Sequence, residues 1–196
     1  MKQVFELPEE KSIEIEWTGK VYSPAMSSVD TIVLANMCIK ETGATSVVDV
    51  GCGSGKIGLA LKLLNPLVDV YLSDSDDRAL KCTRKNALRL KLQVITLKAD
   101  LLPKTQSFPV IVCNLPSYDK EQLKSAPEGL SKAYLADEDD GLYLYKKILP
   151  QVPVGGFFIC EIQEKLQKEF IELIKEKFTI ITRTDFAFAL FRHPLV

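Results

Sequence analysis

The stretch VVDVGCGSGK, residues 47–56, combines a short apolar run with a glycine-rich turn. An apolar run that contains one acid leads into Gly51, Gly53 and Gly55, three glycines at alternate positions, and Lys56 then opens a helical pattern. Glycines at such a turn let the backbone bend sharply and approach a ligand closely, and the helix that follows offers unpaired N–H groups. The stretch therefore predicts a ligand-binding loop between a buried strand and a helix.

The rest of the chain alternates between short apolar runs and amphipathic segments. The predicted strands are residues 46–50, 68–72, 93–97, 108–113, 156–162, 178–182 and 186–191. The predicted helices are residues 29–41, 56–64, 76–90, 142–149 and 164–177. Alternation of this kind predicts an α/β fold, a mostly parallel sheet with helices on both faces. Residues 183–185 alone join the last two strands, which is too short for a parallel crossover, so the C-terminal strand is predicted to be antiparallel.

The N-terminal region precedes this pattern. Residues 13–17 alternate between apolar and acidic side chains, Thr18-Gly19 form a turn signal, and Val21-Tyr22 resume the apolar pattern, which predicts a small hairpin. We expect one domain over residues 1–196, in which residues 1–42 form a hairpin and helix extension and residues 43–196 form the sheet that carries the site.

Composition excludes several functional classes. The net charge is −1, so no overall electrostatic field attracts nucleic acid or an anionic membrane. Hydrophobic residues make up 46% of the chain, which is ordinary for a globular protein. No apolar run approaches the roughly 20 residues of a membrane span, and the start of the chain is too acidic for a signal peptide. The five cysteines include no Cys-x-x-Cys pair, which favours reduced thiols and a cytoplasmic location. His193 is the only histidine, so neither a Ser-His-Asp triad nor a metal site is expected.

Two common nucleotide-binding patterns do not fit the glycine loop. A phosphate-binding loop would need glycine where Val50 stands and a hydroxyl where Ile57 stands. A dinucleotide fingerprint would need its third glycine at Lys56. Tyr143 and Lys147 have the spacing of the short-chain dehydrogenase pair, but the N-terminal glycine signature of that family is absent.

A third pattern does fit. Asp49-x-Gly51-x-Gly53-x-Gly55 after a first strand resembles motif I of the S-adenosylmethionine-dependent methyltransferases. The resemblance implies a Rossmann-like seven-stranded methyltransferase fold with S-adenosyl-L-methionine as cofactor. It further implies that the loop passes under the methionyl part of the cofactor, whose ammonium group Asp49 helps to fix.

Two further acids follow the next predicted strands. Asp74 ends the second strand, where a carboxylate can accept hydrogen bonds from both ribose hydroxyls of a bound nucleoside. Asp100 follows the third strand, and the methyltransferase resemblance implies that it bonds the adenine amino group while the backbone N–H of Leu101 serves the ring. Three acids at successive strand ends form an acidic edge that suits a cationic sulfonium.

The fourth predicted strand ends on Asn114-Leu115-Pro116-Ser117-Tyr118. This exit resembles the Asn-Pro-Pro-Tyr motif of methyltransferases that modify planar nitrogen. The resemblance implies that the Asn114 side-chain oxygen and the Leu115 carbonyl accept the two N–H bonds of the target, while Pro116 keeps the chain rigid. Ser117 occupies the aromatic position of the motif, so Tyr118 either stacks on the target or packs elsewhere. A turn with no role in catalysis is the remaining interpretation.

The downstream stretch AYLADEDDGLYLYKKILPQVPVGGFFICEI, residues 133–162, resembles the HemK-like release-factor glutamine methyltransferases. So does Val21-Tyr22-Ser23-Pro24 followed by Thr31, which the resemblance makes a cofactor contact, with Ser27 or Ser28 as the alternative. The expected reaction is N-methylation of a protein glutamine in a loop. An RNA base is the second acceptor, because Asn-Leu-Pro also resembles tRNA guanine-N1 methyltransferases. A cofactor-binding subunit that activates a heterodimer partner is the third hypothesis.

Overall fold

The computed structural model describes residues 1–18, 21, 28–104, 106–117 and 141–194. The strands are β1 (Lys2–Glu6), β2 (Ser12–Glu16), β3 (Ser46–Val50), β4 (Asp69–Asp74), β5 (Ile95–Lys98), β6 (Val110–Cys113), β7 (Phe157–Glu161), β8 (Phe178–Arg183) and β9 (Ala187–Arg192). The α-helices are α1 (Val29–Thr42), α2 (Lys56–Leu64), α3 (Asp77–Leu90), α4 (Tyr143–Ile148) and α5 (Gln167–Ile174). Short 3-10 helices cover Leu149–Gln151 and Glu164–Leu166.

Seven strands form one sheet in the order β5-β4-β3-β6-β7-β9-β8. Strands β3 to β7 are parallel to one another, and β9 runs antiparallel to both β7 and β8. The predicted fold class is confirmed, including the antiparallel C-terminal strand. The chain passes from β3 to β4 and β5 on one side, and then crosses to β6 on the other side of β3. The carboxyl ends of β3, β4 and β6 therefore meet at the switch point where open α/β sheets bind ligands.

Each face of the sheet is covered by its own apolar layer. Side chains of α1, α2 and the hairpin pack on one face together with Val47 and Val70. Side chains of α4 and α5 pack on the other face together with Val48 and Val50. Since successive residues of a strand point to opposite faces, Asp49 lies on the α2 side, beneath the helix that follows the glycine loop.

The N-terminal hairpin pairs differently from the prediction. Strand β2 pairs with β1 in antiparallel register, Lys2 opposite Glu16, and Val21 lies outside any strand. Tyr22 lies outside the described residues. The predicted partner was wrong because burial of Phe5 in the same apolar layer as Ile13 and Ile15 favours the N-terminal segment as the partner strand.

Helix ends account for most other differences. The segment predicted as a helix over residues 164–177 forms a 3-10 turn followed by α5, which ends at Ile174. The strand predicted over residues 108–113 begins only at Val110, so residues 108 and 109 lie outside β6. Asp76 caps helix α3, because its side chain accepts a hydrogen bond from the Arg78 N–H at 2.8 Å. None of the helices in the described ranges is long and apolar enough to cross a membrane.

Candidate functional site

The glycine loop connects β3 to α2 in a left-handed backbone conformation. Gly51, Gly53 and Gly55 have φ values of +69°, +56° and +84°, which favour glycine. The Gly51 N–H donates to the Ser73 carbonyl at 2.9 Å, which ties the loop to the end of β4. A Cβ on Gly51 would lie 2.8 Å from Cδ2 of Leu115, so the loop is in contact with the chain that leaves β6. The two predicted sequence motifs therefore meet in space.

Asp74 stands at the end of β4 and faces this loop. Its Oδ2 accepts a hydrogen bond from the Gly53 N–H at 3.0 Å, and its Oδ1 accepts one from the Asp76 N–H at 2.9 Å. Burial raises the pKa of the Asp74 carboxyl, and these backbone N–H groups oppose the rise. A carboxylate oxygen accepts more than one hydrogen bond, so both oxygens retain capacity for hydroxyl donors.

Asp49 is buried beneath the loop. Its Oδ2 accepts a hydrogen bond from the Gly58 N–H at 2.9 Å, whereas its Oδ1 has no hydrogen-bond partner in the part of the chain that the structure describes. A Cβ on Gly58 would lie 2.6 Å from Cδ2 of Leu72, so glycine is what allows α2 to approach the strands this closely. Burial raises the pKa of Asp49 from 3.8 to about 7. An unpartnered, buried carboxylate oxygen favours a cationic donor beside it.

Asp100 and Leu101 follow β5, at the edge of the same group of strand ends. The Asp100 side chain is exposed and lies 3.6 Å from the Lys147 ammonium. Leu101 has a φ of +65°, and its carbonyl accepts a hydrogen bond from the Ser73 hydroxyl at 3.4 Å. This contact ties the exit of β5 to β4.

Asn114 leaves the carboxyl end of β6 and is half-buried. Its side-chain Nδ2 donates to Oε2 of Glu161 at 3.1 Å and to the hydroxyl of Ser28 at 3.0 Å. The structure thus joins Asn114 to the end of β7 and to the start of α1.

Side chains of Tyr145 and Gln163 hold the backbone of the residues that follow Asn114. The Leu115 carbonyl accepts a hydrogen bond from the hydroxyl of Tyr145 at 3.2 Å, and the same hydroxyl lies 2.8 Å from the Glu161 carbonyl. The side-chain amide of Gln163 donates to the Ser117 carbonyl at 2.7 Å, beyond the half-buried Pro116. Tyr118 lies outside the described residues, so its stacking role stays a prediction.

Glu161 was not singled out from the sequence, although it connects several predicted positions. Its Oε2 accepts hydrogen bonds from the Ser28 N–H at 2.8 Å and from the Thr31 hydroxyl at 3.3 Å. Burial raises the pKa of Glu161, and these two donors oppose the rise. Thr31 is fully buried against this carboxylate, and Ser27 lies outside the described residues. The available signal was an acid at the end of a buried strand, the pattern that singled out Asp74.

Lys56, the first residue of α2, is buried beside this group. Its ammonium lies 3.8 Å from the centroid of the Phe5 ring. Burial lowers the pKa of Lys56 to about 8, and the charge of Glu161 opposes the change. Across the described ranges, no group of His, Cys, Asp and Glu side chains has the arrangement of a metal site.

The strand order, the antiparallel insertion of β9 and the glycine loop at the switch point define the class as a Rossmann-like methyltransferase. The sequence model of the methyltransferase small domain family matches residues 13–133, and the chain belongs to that family. This confirms the resemblance to S-adenosylmethionine-dependent methyltransferases.

Proteins similar to this chain include curated methyltransferases and solved methyltransferase structures. A release factor glutamine methyltransferase of Flavobacterium psychrophilum is 26% identical over 160 residues, covering 76% of this chain and 56% of the relative. A ribosomal protein uL3 glutamine methyltransferase of Xanthomonas campestris is 32% identical over 158 residues, covering 76% of this chain and 49% of the relative. The chain spans about half the length of these curated relatives. The solved 16S rRNA N2 G1207 methyltransferase of T. thermophilus, in complex with AdoMet and guanosine, shares the fold, with a TM-score of 0.65, 15% identity and coverage of 98% and 51%.

Proposed function

We propose that this chain is an S-adenosylmethionine-dependent N-methyltransferase that acts on a planar nitrogen, in the first place a protein glutamine amide. The observation that carries the proposal is the meeting of Leu115 with Gly51, which brings the Asn-Leu-Pro exit of β6 to the glycine loop. A methyl donor held by the loop and a nitrogen held by Asn114 would then lie side by side.

The residues around the loop fit the proposed cofactor. Asp49 offers a buried oxygen with no partner in the described ranges, which the methionyl ammonium would satisfy. Asp74 would accept the ribose hydroxyls, and Asp100 with the Leu101 N–H would serve the adenine. Thr31 is proposed to border the methionyl end. When bound, S-adenosylmethionine supplies a methyl group on a positively charged sulfur.

The nitrogen of an amide is a poor nucleophile, because its lone pair is conjugated with the carbonyl. In the proposal, Asn114 Oδ1 and the Leu115 carbonyl accept its two N–H bonds and turn the lone pair out of conjugation. The Leu115 carbonyl has two lone pairs, and the Tyr145 hydroxyl engages at most one of them, so Leu115 keeps capacity for a substrate N–H. Catalysis would come from positioning and from tighter binding of the pyramidal nitrogen in the transition state.

Protein glutamine is the preferred acceptor, because the two curated relatives are named as glutamine methyltransferases. The net charge of −1 supports the same choice, since phosphate contacts dominate affinity for nucleic acid. An exocyclic amine of an RNA base would satisfy the same pair of acceptors, and the guanosine complex of the T. thermophilus enzyme keeps it as the second candidate.

The test is transfer of an isotopically labelled methyl group from S-adenosylmethionine to a cell extract, with wild type and Asn114→Ala compared. Acid hydrolysis splits an N-methyl amide and releases labelled methylamine, whereas a methyl on an amine or on an RNA base stays with the non-volatile product. Asn114-dependent labelled methylamine from protease-sensitive material would support the proposal. Ribonuclease-sensitive label would select the RNA acceptor. Binding of S-adenosylhomocysteine without Asn114-dependent labelling would overturn the enzymatic proposal in favour of a cofactor-binding partner subunit.

A further inference from the structure

We propose that Glu161 is a positioning residue that fixes the side-chain amide of Asn114, so that Oδ1 of Asn114 is turned toward the acceptor nitrogen. This inference rests on the proposed function, because it assigns the residue that prepares Asn114 for its role. The carboxylate of Glu161 contacts Asn114 in space, although the two residues are 47 positions apart in the chain.

The sheet register brings the two side chains together. In the parallel pairing of β6 with β7, Cys113 stands opposite Cys160, so Asn114 and Glu161 are the next residues on neighbouring strands. The separation of Asn114 Nδ2 from Glu161 Oε2 is 3.1 Å. Strand β6 is buried along its length and β7 is buried at residues 158–160, which holds the pair at a fixed level of the sheet edge.

The chemistry of the pair fixes which way the amide faces. An ionised carboxylate only accepts hydrogen bonds, so Nδ2 of Asn114 must face Glu161. The reversed amide would place two oxygens about 3.1 Å apart, which is repulsive. The Ser28 hydroxyl also accepts from Nδ2, at 3.0 Å, and strengthens the same choice. Because the amide is planar, Oδ1 is then held on the edge that faces away from Glu161.

Glu161 is itself held in place. Its Oε2 also receives the Ser28 N–H and the Thr31 hydroxyl from the first turn of α1, and its carbonyl receives the Tyr145 hydroxyl from α4. The carboxylate thereby satisfies the backbone N–H of Ser28, the residue that precedes α1, and its negative charge lies at the N-terminus of that helix. A carboxylate that accepts two further hydrogen bonds, on a backbone that accepts a third, can transmit a fixed orientation to Asn114.

The kinetic test compares Glu161→Leu and Glu161→Gln with wild type. Glu161→Leu frees the amide to rotate, and kcat is expected to fall about 10- to 100-fold, the size of effect that loss of one charge-assisted hydrogen bond gives. Affinity for S-adenosylhomocysteine is expected to fall by a smaller factor than kcat, because among the proposed cofactor contacts the structure hydrogen-bonds Thr31 to Glu161, in the described ranges, and leaves Asp49 and Asp74 on other donors. Glu161→Gln keeps an oxygen at the same place and is expected to restore most of kcat. Glu169→Leu, which removes an exposed glutamate from α5, is the matched control.

A spectroscopic readout separates this proposal from the proposed function. The side-chain NH₂ signals of Asn114, identified by their loss in Asn114→Ala, are expected to be protected from solvent exchange in wild type and in Glu161→Gln, and to lose that protection in folded Glu161→Leu. If wild type transfers no methyl group, the proposed function fails while the NMR comparison still tests the contact. If Glu161→Leu keeps wild-type kcat, or if the Asn114 signals are unchanged in it, the positioning role is overturned. Should Glu161→Leu not fold, wild-type behaviour of Glu161→Ala in both assays would overturn the role in the same way.

Discussion

Replacement of Asp49 by asparagine is expected to stabilise the ligand-free chain and to weaken cofactor binding. Burial raises the pKa of this carboxyl from 3.8 to about 7 in the folded chain. Between these values the folded state holds a proton that the unfolded state has released, so the free energy of unfolding falls as the pH rises. At about 1.4 kcal/mol per pH unit, ionised Asp49 costs the folded chain roughly 4 kcal/mol above pH 7.

The Asp49→Asn substitution would remove this pH dependence. The carbonyl oxygen of the new amide can still accept the Gly58 N–H, and its NH₂ group carries no charge to bury. Between about pH 5 and pH 8, the free energy of unfolding of wild type is expected to fall by roughly 3 kcal/mol more than that of Asp49→Asn. Urea denaturation at the two pH values measures the difference, and Asp69→Asn, at an exposed position on β4, is the control.

Although Asp49→Asn is expected to stabilise the folded chain, it is expected to weaken cofactor binding. The NH₂ group of asparagine repels an ammonium that the Asp49 carboxylate would attract, so the Kd of S-adenosylhomocysteine should rise at least about 10-fold, which calorimetry measures. In wild type the affinity should also weaken as the pH falls through about 7, because protonation removes the charge. Equal pH dependence of stability in wild type and Asp49→Asn would contradict the raised pKa of Asp49, and unchanged affinity in the variant would contradict its contact with the ammonium.

Two further substitutions test the loop and its support. Gly51→Ala is expected to weaken binding of S-adenosylhomocysteine, because its Cβ would lie 2.8 Å from Cδ2 of Leu115 and force that side chain to shift beside the loop. Gly43→Ala has a similar φ of +64° with nothing within 4 Å of the added Cβ, so it should lose stability alone. Calorimetry that shows equal affinities for the two variants would contradict the contact. Tyr145→Phe removes the hydroxyl that bridges β6 and β7, and should cost about 1–3 kcal/mol of stability in urea denaturation together with at least a several-fold loss of kcat. Tyr143→Phe, on the same helix, is its control, and a Tyr145→Phe variant with wild-type kcat would show that the Leu115 carbonyl needs no such support.

Local chemistry made much of this architecture predictable from the sequence. The run Val47–Val50 before three glycines could only be a buried strand entering a tight turn, and strand β3 and helix α2 have the predicted bounds. The short link before β9 required an antiparallel pair. These features follow from neighbours in the chain, which a sequence displays directly.

Features that depend on distant contacts could not be predicted in the same way. The predicted partner of β2 was wrong. The turn signal before Val21 favoured the segment that follows β2, whereas β2 pairs with β1, whose Phe5 is buried in the core. Glu161 was missed for a related reason: its importance comes from sheet register, which places it beside Asn114 across 47 residues of chain. The sequence around an acid at a strand end does not indicate which strand will lie beside it in the sheet, and so not which side chain it will contact.

The role of Asn114 in catalysis is measured by labelled methyl transfer to protein glutamine, with wild type and Asn114→Ala compared at saturating S-adenosylmethionine. Asn65→Ala, which removes an asparagine at the end of α2, is the control for loss of stability. Labelled methylamine should be released by acid from the product of wild type and Asn65→Ala, and should be at least about 100-fold lower with Asn114→Ala, although that variant still binds S-adenosylhomocysteine. Equal release from wild type and Asn114→Ala would contradict the claim that Asn114 aims a planar nitrogen at the methyl donor.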